Sequence, residues 1–160
     1  MTKDDYKNKL ASVLEICNTH HERMMHAISR LDNVLPVKSN NLNCLTPDQV
    51  SLSDQMIYRF SQLQDTIDSK LFPLLLLGLG EDISNKPFID ILNKLEKLSI
   101  IDNAEKWLSL REIRNLVTHE YPGNEDEVAY GLNKLYQESI YLSSLLEKLV
   151  SYVDEKRLIN

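Results

Sequence analysis

Apolar residues recur every three to four positions through the first part of the chain: Leu10, Val13, Leu14, Cys17, Met24, Ile28, Leu31 and Leu35. That spacing puts them on one face of a helix and predicts a long first helix over about residues 3 to 35. The stretch "PVKSNNLNCLTPDQ" breaks the pattern with Asn, Ser and Pro and reads as a loop. Thr46 followed by Pro47 has the form of a helix N-cap with proline in the first turn. The second helix carries Met56, Ile57, Phe60, Leu63, Ile67 and Leu71, with a kink expected at Pro73. "LFPLLLLGLG" then reads as a buried helix end, stopped by Gly78 or Gly80.

After "ISNKP", residues 87 to 98 predict a shorter third helix. Asp102 or Asn103 can cap a fourth, from about 104 to 121, and "PGNEDE" makes the turn. A fifth helix is expected over about 125 to 156, with Val128, Leu132, Leu135, Ile140, Leu142, Leu145, Leu146, Leu149 and Val153 as its apolar positions. No strand-like alternation of useful length and no internal repeat is present. The pattern predicts an all-α chain, one domain over residues 1 to 160, folded as an antiparallel up-and-down bundle of about five helices.

Composition narrows the chemistry. A chain of 160 residues buries about 70% of its unfolded surface and needs no disulfide or metal to hold a core. Eighteen Lys and Arg against 24 Asp and Glu give a net charge of −6, which argues against coating DNA or an anionic membrane through bulk charge. RNA binding in a small local cleft stays open. Cys17 and Cys44 form no C-x-x-C pair and no ligand spacing, as in a reduced cytosolic chain. The N-terminus "MTKDDYKNKL" lacks the apolar core of a signal peptide. The run at 71 to 80 is far shorter than the roughly 20 residues of a spanning helix, so no membrane partner and a cytoplasmic location are expected.

Three histidines, His20, His21 and His26, tempt a metal reading. The spacing is H-E-x-x-x-H, however, and five residues at 100° each set His21 and His26 roughly 140° apart on a helix. A solvated helix face is the better account, and no metal or other cofactor is expected. The carboxylates of "NEDE" suit the start of the fifth helix, against its dipole. "YRFSQLQDT" holds Arg59 and Asp65 among apolar neighbours, which on its own reads as packing with surface charge.

Residues 111 to 122, "REIRNLVTHEYP", are different. At 100° per residue Trp107, Leu110, Ile113, Val117 and Tyr121 form one apolar arc, and Arg114 falls inside it. A guanidinium there is costly unless it is paired or opens on a groove. The adjacent arc holds Thr118, Arg111, Asn115 and His119, the last two a helical turn apart. A cation, an amide, an imidazole and a phenol thus gather near the end of the fourth helix. The ordinary reading is an arginine satisfied by a buried carboxylate and a lone surface histidine.

"RNLVTHEY", residues 114 to 121, resembles the R-x-x-x-x-H-x-Y motif of HepT-type toxins of the HEPN superfamily. The flanking "YRFSQLQDT", "KPFIDILNKLEKL" and "WLSLREIRN" are similar to a HepT-related bacterial group, extending the resemblance over roughly residues 50 to 150. It implies a HEPN-like bundle that forms a homodimer with both motifs lining one cleft. It also implies metal-independent RNA cleavage by attack of the ribose 2′-hydroxyl on the adjacent phosphate. In that scheme Arg114 and His119 are catalytic, Asn115 and Arg111 position phosphate or RNA, and Arg59 and Asp65 support them from behind. The partner implied is a cognate nucleotidyltransferase antitoxin (MntA-like), for which Tyr121 is the candidate modification site. HEPN domains also serve as non-catalytic binding modules, so a module that only presents Tyr121 to such an enzyme is the second expectation. A plain helical dimerisation protein is the third.

Overall fold

The computed structural model describes residues 1–117 and 123–159, the side chain of Leu116 excepted. These residues form helices α1 (Lys3–Leu31), α2 (Pro47–Thr66), α3 (Phe72–Gly78), α4 (Phe88–Lys97), α5 (Ala104–Val117) and α6 (Glu125–Glu155). Local chemistry sets most boundaries. Thr2 and Asp5 form a reciprocal capping box at the start of α1, and Thr46 and Gln49 do the same for α2, with Pro47 in its first turn. Asn103 Oδ1 accepts the Lys106 N–H at 3.1 Å and caps α5. Gly80, at φ +79°, ends α3: its own N–H reaches Leu77 O while that of Glu81 reaches Leu76 O. Of the two glycines expected to stop this helix, Gly80 supplies the left-handed residue.

Two expectations on the helices are corrected. The first helix ends at Leu31, four residues before the expected limit, ahead of Pro36, which has no N–H to carry the helical ladder on. The break expected at Pro73 lies one step earlier, as a single π turn over Ile67–Leu71 that joins α2 to α3 without a loop. Pro73 has no N–H for the Ser69 carbonyl, and its ring would press on that carbonyl in a regular helix; the wider turn makes room. The expected end of the fourth helix, near residue 121, and the stop at Pro122 lie outside the described residues.

Cross-helix contacts give the topology. Tyr6 Oη donates to Leu74 O at 2.8 Å, and Gln55 Nε2 donates to Arg23 O at 3.1 Å, so α1 runs antiparallel to the α2–α3 rod. Asp65 meets Arg114 and Asp68 meets Arg111, which sets α5 antiparallel to α2. Lys148 meets Asp102, and Lys106 Nζ lies 3.9 Å from the Tyr141 ring centre, so α6 reverses α5. Asn133 grips both polar atoms of the Val37 backbone, at 2.7 and 2.8 Å, and His21 meets Ser143, which returns α6 to α1. The result is an all-α, up-and-down ring of four rods, with α4 laid across α3 and α5.

The core is built from the expected stripes, with Trp107, Phe60, Phe72, Met24 and Met56 fully buried. Trp107 and Phe72 meet edge to face at 5.0 Å between ring centres. One expected core position fails: Ile140 is exposed, and Ser139 and Ser143 take the buried face of α6 beside it. No helix among the described residues is long and apolar enough to cross a membrane.

Candidate functional site

The α2–α5 seam carries the charged chemistry. Asp65 and Asp68 stand three residues apart, as do Arg111 and Arg114, so each pair shares one helix face. The antiparallel register then sets two carboxylates against two guanidinium groups. The inner pair is locked. Arg111 Nε and Nη2 both donate to Asp68 Oδ2, at 3.0 and 2.7 Å, and the Trp107 indole N–H donates to Asp68 Oδ1. The Arg111 guanidinium also lies 4.1 Å from the centre of the Phe88 ring, from α4. Burial pushes the Asp68 carboxyl above its ordinary value, and the hydrogen bonds and charge from Arg111, with the Trp107 hydrogen bond, oppose that shift.

The outer pair is open. Arg114 Nη1 donates to Asp65 Oδ1 at 2.6 Å, and the Asp65 side chain is 53% exposed against 6% for Asp68. Arg114 itself is 26% exposed at the last described turn of α5. The guanidinium on the apolar arc therefore has a carboxylate partner and is partly exposed. Asn115 is exposed on the same turn. His119 and Tyr121, the other two motif positions, lie outside the described residues.

Arg59 is not brought to this seam. It faces α1, where its Nη1 donates to His20 Nδ1 at 3.0 Å. His20 and His21 are accordingly no solvated face: both are half-buried, and His21 Nε2 shares a hydrogen bond of 2.6 Å with Ser143 Oγ on α6. The two imidazoles diverge to different helices. His26 alone of the three is exposed. Among the described residues no group of three or more His, Cys, Asp or Glu could hold a metal. Cys17 is buried in α1 with its thiol pushed up to about 12 by burial, which leaves it unreactive, and Cys44 is exposed.

His20 has a consequence for stability. Burial, with Arg59 and Arg23 nearby, holds its imidazolium form below the ordinary pKa of a histidine. Protonation would place a proton on the nitrogen that accepts from Arg59. The unfolded chain takes up that proton first as pH falls, so this contribution is complete above the unfolded value of about 6.5 and is lost as pH drops through the lower folded value. Melting temperature should fall between about pH 7 and pH 5, and the fall should be smaller in His20→Gln. An equal pH dependence in the two proteins would assign the effect to other groups.

Near the end of α5 a pocket of about 330 Å³ is lined by Leu45, Ile57, Val117, Val128, Asp54 and Glu125, among others. Its apolar walls and two carboxylates make it a poor seat for phosphate. The outer arginine is the better one.

Sequence reasoning missed Asp68 and Phe88, which hold Arg111. A signal for Asp68 was present: the i, i+3 acids of "DTID" mirror the i, i+3 arginines of "REIR". Phe88 carried none, because only the packing of α4 brings it under the guanidinium. Comparison with protein families, with curated proteins and with solved structures finds no match.

Proposed function

We propose that the chain is a HepT-like toxin of a toxin–antitoxin system, a metal-independent endoribonuclease of the cytosol that acts as a homodimer. The observation that carries this reading is the setting of Arg114. The motif arginine is partly exposed and pairs with an exposed carboxylate, whereas Arg111 is held by the buried Asp68. A planar guanidinium so placed can take a phosphate in its fork and stabilise the charge that builds up in the transition state.

In the reaction proposed, the ribose 2′-oxygen bonds to phosphorus as its proton passes to a base. The P–O5′ bond breaks as the leaving oxygen receives a proton, which gives a 2′,3′-cyclic phosphate and a free 5′-hydroxyl. His119, with an unperturbed imidazole pKa of about 6.5, suits either proton transfer. Two copies facing each other supply one histidine as base and another as acid. Asn115 orients the phosphate or the imidazole. Arg111, committed to Asp68, serves by holding α5 in register rather than by touching RNA.

The net charge of −6 favours a second reading, a binding module that presents Tyr121 to a cognate nucleotidyltransferase (MntA-like) and cuts nothing alone. One comparison separates them: wild type and His119→Ala incubated with RNA in excess chelator. The nuclease reading expects products ending in 2′,3′-cyclic phosphate from wild type and a loss of about 10²- to 10⁴-fold in the variant. Equal cleavage by the two proteins, or none by either, would overturn it.

A further inference from the structure

We infer that Asp65 is a removable internal anion, occupying the seat that Arg114 offers to a phosphate and weakening the hold on RNA until the phosphate displaces it. The inference rests on the nuclease reading only for the identity of that phosphate.

Two ion pairs join α5 to the α2–α3 rod, one to a buried acid and one to an exposed acid. Asp68 has both carboxylate oxygens engaged, by two nitrogens of Arg111 and by the Trp107 indole, and is 6% exposed. Water has little access to that carboxylate, although the Arg111 side chain on its outer side is 39% exposed. Asp65 is the next acid along the same face and repeats the pairing one step outward, yet its side chain is 53% exposed. Its carboxylate meets Arg114 at 2.6 Å, the separation at which a phosphate oxygen would bind the same nitrogen.

Water can solvate the Asp65 carboxylate once it lets go, so release costs little, in contrast to the buried acid. A phosphodiester brings the same charge and matching oxygens to the same guanidinium edge. Asp65 and phosphate therefore compete, and the competition selects for ligands that make further contacts beyond Arg114. Asp65 acts through Arg114 and is a regulatory residue of the site, outside the chemistry itself.

The test measures binding, which the nuclease reaction does not control. A short, fluorescein-labelled 2′-O-methyl RNA has no 2′-hydroxyl to attack and reports affinity by anisotropy at about 0.15 M salt, where distant surface charges are screened. Asp65→Asn should bind it about three- to fivefold more tightly than wild type, the size expected for freeing an exposed ion pair. Asp65→Glu should show no such gain. Glu147→Gln, which removes an exposed negative charge on α6, should shift affinity by less than about twofold. The gain should vanish when Asp65→Asn is added to Arg114→Ala.

Unchanged or weaker binding by Asp65→Asn overturns the inference, as does a gain that persists without Arg114, or no binding by any variant. If His119→Ala abolishes cleavage while Asp65→Asn leaves affinity unchanged, the nuclease stands and the internal anion falls. Tighter, Arg114-dependent binding without any cleavage gives the reverse outcome.

Discussion

Arg114→Ala is expected to lower RNA cleavage by about 10²- to 10³-fold, the cost of losing a charge donor aimed at the developing oxyanion. Stability should hardly change. The pair with Asp65 is half-open to solvent, and such pairs contribute roughly 0.2–1 kcal/mol, a shift of a few degrees at most in a chain of this size. Arg114→Lys keeps the charge and loses the planar fork, so part of the activity should return. Cleavage rates read beside thermal melts give the answer. Activity that survives in Arg114→Ala removes this arginine from the reaction, and a loss that only tracks unfolding gives it a structural role.

The neighbouring arginine should behave in the opposite way. Arg111→Ala is expected to destabilise the fold by about 3 kcal/mol, because it strands the buried Asp68 carboxylate. The lost stacking on Phe88 adds to the effect. Asp68 already has its pKa raised, and loss of Arg111 raises it further. The stability tied to the neutral acid is present at low pH and lost as pH rises through the folded value. The gap between Arg111→Ala and wild type should therefore shrink as urea titrations move from pH 7 towards pH 4. Replacing both partners, Arg111→Met with Asp68→Leu, should restore only part of the stability, because the buried Trp107 indole N–H then loses its acceptor. A single variant within about 0.5 kcal/mol of wild type would show that the pair is not buried as described.

The two arginines look alike in sequence. Both lie on "REIR", both were candidates for RNA contact, and helical projection singled out Arg114 as the anomalous one. Projection could place them on a face of α5; it could not say what stood opposite. Arg111 meets the buried Asp68, and Arg114 meets the exposed Asp65. Arg59 shows the same limit. It shares a short segment with Asp65, yet six residues along a helix turn it away to α1 and His20.

Elements governed by neighbours in the chain were legible. Thr46 and Pro47 open α2, Asn103 opens α5, and the stripe from Leu10 to Leu31 forms the buried side of α1. Each depends on contacts within a turn or two, which spacing encodes. The early end of α1 and the π turn ahead of Pro73 follow from proline geometry, which marks where a helix is disturbed without stating the form of the repair.

By itself, then, the sequence determined an all-α chain, the positions of its helices and most of its apolar faces, because those follow from periodicity and capping between near neighbours. Only the tertiary structure decided which rods adjoin, that Ile140 faces water while Ser139 and Ser143 face the core, and that one arginine meets a buried acid while the next meets an exposed one. The pairing of the arginines depends on charges that meet across more than forty positions of chain, a distance over which spacing carries no information.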